Sequence, residues 1–233
     1  MKIRDKLLLG FGFYIFLAVV LGFFAYKEMQ AITTRLSLVE TADDITNNFL
    51  EVRRHEKNFL LFRDKDSLQE FKEYLSILKQ NIDDIRVEII REIGIDNYDM
   101  MKKTITEYEG IFNKLVDNYK VQEQIVNRLK NIGRKIEQRL KDKELEIFMN
   151  LKSLEKNLMV SKDEATYKTF VNAFESSGIS TDYEVKRYRI LVDSFFGLYK
   201  NEGDSVDDMR LKARDIQSFA ENLSKKERAD IKA

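Results

Sequence analysis

Proline is absent from all 233 residues of this chain, and that absence limits the fold more than any other feature. Proline breaks helices because it lacks a backbone N–H and its ring clashes with the preceding turn. Glycine, which also weakens helices, occurs only 9 times, while 34% of the residues are charged. Nothing therefore interrupts helix over long stretches, and we predict an all-α protein.

The composition also removes several classes of function. Lys plus Arg and Asp plus Glu number 40 each, so no bulk charge attracts nucleic acid. Cysteine is absent, which excludes disulfides, thiolate catalysis and cysteine-ligated metals. The single histidine, His55, supports neither a metal site nor a catalytic triad, and we expect it to face solvent. We expect no enzymatic activity, no metal and no cofactor.

An apolar stretch near the N-terminus, Leu7 to Tyr26, contains 20 residues without a charge. A helix of this length spans the hydrocarbon core of a bilayer, about 30 Å thick. Residues 1–6 carry three basic side chains, whereas Lys27 is offset by Glu28. We predict that 1–6 are cytoplasmic, that 7–26 span the inner membrane and that 27–233 are periplasmic, with no second span. A cleaved signal peptide is the alternative, but no small-x-small cleavage site stands out.

The periodicity of apolar residues beyond the span predicts long helices. The membrane helix continues to Phe62, a second helix covers 67–93, and one very long helix covers 98–160 with a bend near Gly133. A short helix then runs to Ser177, and another starts at Thr181, where residues 201–204 form either a loop or a kink before the last helix. Three capping boxes mark helix starts, namely Ser67 with Glu70, Ser161 with Glu164, and Thr181 with Glu184.

A duplicated segment follows the span. Residues 49–75 read FLEVRRHEKNFLLFRDKDSLQEFKEYL, and 99 positions later residues 148–174 read FMNLKSLEKNLMVSKDEATYKTFVNAF. Six of the 27 aligned positions are identical: Phe49/Phe148, Glu56/Glu155, Lys57/Lys156, Asn58/Asn157, Asp64/Asp163 and Phe71/Phe170. Two similar units predict two stacked antiparallel bundles, with the first two helices, the start of the long one and the last one forming the membrane-proximal bundle.

Each copy places a carboxylate on an apolar helical face. Glu56 falls on the face of Phe49 and Val52, and Glu155 falls on the matching face of the second copy. A buried carboxylate needs a partner, because an unpaired charge in an apolar interior is costly. Arg53 and Lys152 lie at matching positions one turn earlier, where each could pair with the glutamate at i+3.

The block VRRHEKNFLLFRDKD behind a lone signal anchor, with its weaker repeat LKSLEKNLMVSKDE, resembles the helical bimodular sensor domain of methyl-accepting chemotaxis proteins and some sensor histidine kinases. The resemblance covers about residues 27–233. It implies two stacked helical bundles in the periplasm that bind small organic acids or a periplasmic binding protein, and a homodimer. In that family a second span and a cytoplasmic signalling region normally follow, and this chain stops short of both.

Five residues are candidates for ligand binding. Arg53 offers a guanidinium fork suited to a carboxylate, although a structural pair with Glu56 is an equal alternative. The resemblance implies that Arg53 acts with Arg210 of the last helix. Arg54, Tyr108 and Lys152 complete the set, with Arg54 expected mainly in solvent and Tyr108 mainly in the core.

These features predict the extracytoplasmic ligand-sensing region of a chemoreceptor-like transmembrane signal transducer. The input domain of a sensor histidine kinase is one alternative. A membrane-anchored helical stalk that docks another protein, and binds no small ligand, is the other.

Overall fold

The structure is a computed structural model that describes the backbone of residues 3–232 and the side chains of residues 11–225, except 31, 34, 35, 37 and 38. Within these limits every regular element is a helix: α1 (Ile3–Phe62), α2 (Lys65–Asp84), α3 (Arg86–Ile93), α4 (Ile95–Arg139), α5 (Asp142–Ser161), α6 (Glu164–Glu175) and α7 (Tyr183–Lys232). The prediction of an all-α protein is confirmed. The predicted cytoplasmic residues 1–6, and 7–10 of the predicted span, lie outside the described side chains.

Helix α1 contains a stretch, Phe11–Gln30, that is long and apolar enough to cross a membrane. It has 20 residues and a mean hydropathy of 1.5, and none of it is buried inside the protein. A core helix of a soluble protein would be mostly buried, whereas a membrane span or a signal sequence would not. The stretch overlaps the predicted span and extends four residues beyond it.

The chain divides into two compact units, in agreement with the two modules predicted from the repeat. The first unit contains residues 1–105 and 213–233, and the second contains residues 106–212. Each unit holds one copy of the buried glutamate.

In the first unit, α1 packs against α2 after a tight turn at Arg63 and Asp64. The apolar face predicted for α1 is buried, and α2 buries its own stripe. The fully or nearly fully buried side chains of these two helices include Ala42, Ile45, Phe49, Val52, Phe59, Phe71, Leu75, Leu78 and Ile82. This packing places the Arg53 segment of α1 against α2.

In the second unit, four helical segments alternate in direction. Arg139 pairs with Asp182 and Tyr119 with Glu202, so α4 and α7 run antiparallel. Helix α5 runs parallel to α7, because Phe148 lies against Tyr188 and Lys162 lies over the ring of Tyr199. Helix α6 runs antiparallel to α7, because Tyr167 stacks on Phe196 whereas Phe170 and Phe174 lie near Arg189.

The prediction of one helix from 98 to 160 is therefore wrong. Helix α4 ends at Arg139, and the chain reverses at Leu140 and Lys141 before α5. Leu140 is buried at the reversal, so the apolar pattern continues across it and does not reveal it. Lys141 caps α5 without a side-chain hydrogen bond, and Asp142 adopts a φ of 49°. Helix α4 shows no interruption at Gly133.

Aspartates cap the helix starts at all three predicted capping boxes. The carboxylate of Asp64 accepts from the amide of Ser67, and that of Asp163 accepts from the amide of Thr166. Asp182 accepts from the amides of Glu184 and Val185. The predictions that Ser67, Ser161 and Thr181 cap these helices are therefore wrong. An aspartate caps a helix as serine and threonine do, and it also brings a negative charge to the positive end of the helix dipole.

Two further boundaries differ from the sequence predictions. The helix predicted for 67–93 is interrupted at Ile85, which separates α2 from α3 and has a φ of −106° and a ψ of 23°. Residues 201–204 do not form the predicted loop, because α7 passes through them without a break, and the alternative of a kink stays a prediction. Gly94, with a φ of 85°, caps the end of α3, and α4 begins at Ile95, three residues before the predicted start at 98.

Candidate functional site

The two glutamates of the repeat are the most buried carboxylates on the predicted apolar stripes. The side chain of Glu56 is 2% exposed on α1, and Glu155 is 6% exposed on α5. Carboxylates are rarely this buried without a partner that offsets the loss of hydration. The partners of the two glutamates are the main chemical difference between the units.

In the first unit the predicted i,i+3 pair forms. The guanidinium Nη1 of Arg53 donates to Oε2 of Glu56, and the Arg53 side chain is largely buried. Both residues lie on α1, so the helix geometry alone brings them together. A guanidinium has five donors, so it can contact more than one carboxylate oxygen.

In the second unit the predicted pair does not form. The Nζ of Lys152 donates to Glu137 of α4 instead of Glu155. Glu155 Oε2 accepts a hydrogen bond of 2.8 Å from the hydroxyl of Tyr188 on α7. Lys152 misses Glu155 because the reversal after α4 brings a competing carboxylate within its reach.

 
Burial raises the pKa of the Glu155 carboxyl, and the Tyr188 hydroxyl with the nearby Lys152 and Lys156 only partly opposes this shift. Burial also raises the pKa of the Tyr188 phenol, as does the adjacent Glu155 carboxylate. The second unit thus holds its glutamate with a neutral donor on another helix, whereas the first unit uses a cation on the same helix.

His55 is buried at 3% exposure, so the expectation that it faces solvent is wrong. Its Nδ1 lies 2.6 Å from Oε2 of Glu70, and its ring stacks on Tyr74 of α2 with centroids 5.4 Å apart. Glu51 of α1 lies 3.6 Å from the other ring nitrogen. Helix α2 covers His55, and nothing in the α1 pattern indicated which side chains would lie there.

The other predicted ligand-binding residues occupy different environments. Arg54 is 59% exposed and pairs with Glu51 at 2.6 Å, as expected for a largely solvated side chain. Arg210 belongs to the second unit, where it is 60% exposed and pairs with Asp207 at 2.9 Å. Tyr108 is completely buried in the same unit. An anion pocket that Arg53 and Arg210 share remains a prediction.

Two polar clusters of the second unit were not singled out from the sequence. Tyr119 and Gln122 of α4 both donate to the carboxylate of Glu202, at 2.7 and 3.2 Å. Arg189 lies 5.5 to 5.6 Å from three aromatic rings of α6 and pairs with Asp193 one turn later. The i,i+4 spacing of Arg189 and Asp193 is the one signal that was available in the sequence.

Among the described residues, no group of three or more His, Cys, Asp or Glu side chains could hold a metal ion. No protein-family model, curated protein or solved structure matches this chain. The buried glutamates and their partners are therefore the features on which a functional interpretation depends.

Proposed function

We propose that this chain is the extracytoplasmic ligand-sensing region of a membrane-anchored signal transducer of the chemoreceptor type, with two stacked helical bundles. A small organic acid would bind between helices near Arg53. In the alternative proposal, the same region is the input domain of a sensor histidine kinase. The inner membrane would hold the anchor, with residues beyond it in the periplasm.

The continuity of α1 is the observation that carries this proposal. One helix extends from Ile3 to Phe62 and includes both the apolar stretch Phe11–Gln30 and the Arg53–Glu56 pair. A ligand that changes the partners of Arg53 would act directly on the helix that enters the membrane. Such a change transmits a signal when the ligand binds two helix positions with different affinity.

Assembly follows from the same proposal. An anchor such as α1 suits a parallel homodimer, in which each chain presents its sensing region on the same side of the membrane. A periplasmic binding protein is the alternative to a free organic acid as the direct partner.

Thermal unfolding of the full chain, reconstituted in lipid nanodiscs, tests the proposal. A panel of mono-, di- and tricarboxylates should contain at least one that raises the melting temperature, since a ligand that binds only the folded state stabilises it by mass action. Arg53→Ala should abolish this shift, whereas Lys57→Ala, an exposed position on the same helix, should keep it. A panel without any shift would reject the organic-acid sensor.

The Arg53–Glu56 pair itself favours a second candidate, the docking stalk. If Arg53 serves only to neutralise a buried carboxylate, Arg53→Ala lowers the melting temperature in the absence of any ligand and no carboxylate changes it. The exposed Leu61 and Phe62, next to the turn after α1, would then offer apolar contacts to a partner protein.

A further inference from the structure

An open groove runs along the second unit between α4 and α7. Two adjoining cavities of about 630 and 380 Å³ form it, and they share Arg128 and Leu191. The volumes lie in the range of small-molecule sites, about 300 to 1,000 Å³. On α7 the lining runs from Arg187 to Asn201, a rise of about 21 Å at 1.5 Å per residue. The groove is therefore elongated.

The wall of the groove is mainly aliphatic. The apolar side chains that line it are Val121, Ile125, Ile132, Ile190, Leu191 and Leu198. Of these, Val121 and Ile190 are exposed, at 42% and 61%. Gly197 also lines the groove, and a Cβ added there would meet nothing within 4 Å. An apolar molecule that lies along this surface would remove the exposed Val121 and Ile190 side chains from water.

The charged side chains of the lining all have the same sign. Arg128, Arg187 and Lys200 line the groove, and none of its lining residues is acidic, although the chain as a whole carries equal numbers of both charges. Arg187 and Lys200 have carboxylates at 3.7 and 3.9 Å, in Glu184 and Glu164. Arg128, where the two cavities meet, forms no ion pair within the described part of the chain.

We propose that this groove binds an amphipathic monocarboxylate, with an aliphatic chain along the α4–α7 wall and the carboxylate on Arg128. The apolar wall favours a ligand with an aliphatic chain, because a short polar acid would leave the side chains of the wall exposed to water. The guanidinium selects for an anion and offers two parallel donors to a carboxylate. Asn131 and Ser194 add neutral hydrogen-bonding groups to the lining. This site does not depend on the sensing proposal for Arg53.

A fluorescence titration of the full chain in nanodiscs tests the groove, with octanoate as the probe. The chain has no cysteine, so Asn201→Cys provides a single position in the groove for an environment-sensitive fluorophore. Lys168→Cys, exposed on α6, provides the same label outside it. Octanoate should change the emission of the Asn201 label saturably and leave the Lys168 label unaffected, while succinate and octanol should bind at least about tenfold more weakly.

Substitutions of Arg128 provide the second part of the test. Arg128→Glu should weaken octanoate binding by about tenfold or more, as expected for a lost charge-assisted contact. Arg128→Lys, which keeps the charge but loses the two parallel donors, should weaken binding less than Arg128→Glu, and Lys130→Glu, exposed on α4 but outside the lining, should have no effect. An unsaturable response, an equal response of both labels, or an Arg128→Glu affinity equal to that of the unsubstituted chain would overturn the proposal. Loss of binding in Arg53→Ala alone would place the anion at the first unit instead.

Discussion

Residues 49–75 and 148–174 share a helix–turn–helix path but surround their buried glutamates differently. Helices α1 and α5 both end with a left-handed residue, Arg63 and Lys162, each with a φ of 54°. An aspartate then caps the next helix in both copies. Glu56 pairs with Arg53, whereas Glu155 depends on Tyr188, which lies 33 positions away in the sequence. Local turn chemistry is thus repeated, whereas the pairing of the glutamate with the basic residue one turn earlier is not.

The comparison indicates that substitutions and pH affect the stability of the two units differently. Arg53, three residues earlier on the same helix, pairs with Glu56. Burial raises the pKa of the Glu155 carboxyl, and the hydrogen bond from the neutral Tyr188 phenol only partly opposes this shift. The second unit therefore couples a carboxyl proton to the packing of α5 against α7.

The largest expected effect separates Arg53 from its counterpart Lys152. Arg53→Ala should lower the free energy of unfolding by about 3 kcal/mol, because it removes the cation from a buried carboxylate. Lys152→Ala should cost less than about 1 kcal/mol, since its pair with Glu137 is partly exposed on both sides. Urea unfolding of both variants measures the difference. An equal loss of unfolding free energy in both variants would show that Arg53 and Lys152 contribute equally to stability.

The next effect concerns the donor to Glu155. Tyr188→Phe should lower the free energy of unfolding by about 2 kcal/mol, because the phenol hydroxyl is a hydrogen-bond partner of a buried group. Tyr199→Phe is the matched control, since its ring lies over Lys162 and phenylalanine keeps that contact. A neutral Tyr188→Phe, measured by calorimetry, would mean that water replaces the hydroxyl.

A smaller effect is expected in the pH dependence of stability. The folded pKa of Glu155 lies above the ordinary value of 4.5, so the unfolded chain releases this proton first as the pH rises. The free energy of unfolding should therefore fall from about that pH through the raised pKa and remain lower above it. Glu155→Gln should remove this decline while it still accepts from Tyr188.

Urea unfolding at several pH values between about 4 and 8 measures the slope. Glu146→Gln, an exposed position on the same helix, should retain the decline of the unsubstituted chain. An identical slope in Glu155→Gln would assign the pH dependence to other groups.

The smallest effect should be the same in both copies. Asp64→Ala and Asp163→Ala should each lower the melting temperature slightly and to a similar extent, because each removes a helix cap. The capping hydrogen bonds lower the pKa of both carboxyls, so their contribution is present above the ordinary value of 3.8 and is lost as the pH falls through the folded pKa.

Asparagine distinguishes the cap from the charge. Asp64→Asn and Asp163→Asn should keep most of the stability, since asparagine also caps helices, but should lose the acid dependence. A large effect in one copy only would break the symmetry of the two turns. Circular dichroism melts at neutral and acidic pH provide the measurement.

The sequence predicted the features that depend on neighbours within a few residues. The absence of proline indicated helix, and the spacing around Glu56 and Glu155 correctly predicted that both carboxylates are buried. The Arg53–Glu56 pair was also predictable, because i,i+3 positions meet on any α-helix. The caps were missed for a local reason, as the capping aspartate stood within three residues of each serine or threonine that was chosen.

Tertiary structure alone decided the partners that come from distant segments. The reversal at Leu140 left no mark in the apolar pattern, because the residue at the turn is itself buried. That reversal places Glu137 next to Lys152, and Glu155 accepts its hydrogen bond from Tyr188 of α7. Helix α2 covers His55 and contributes Glu70 as its partner. Helical periodicity specifies which face of a helix turns inward, since it follows from backbone geometry. Which side chain meets that face depends on how separate helices pack, and no single helix encodes it.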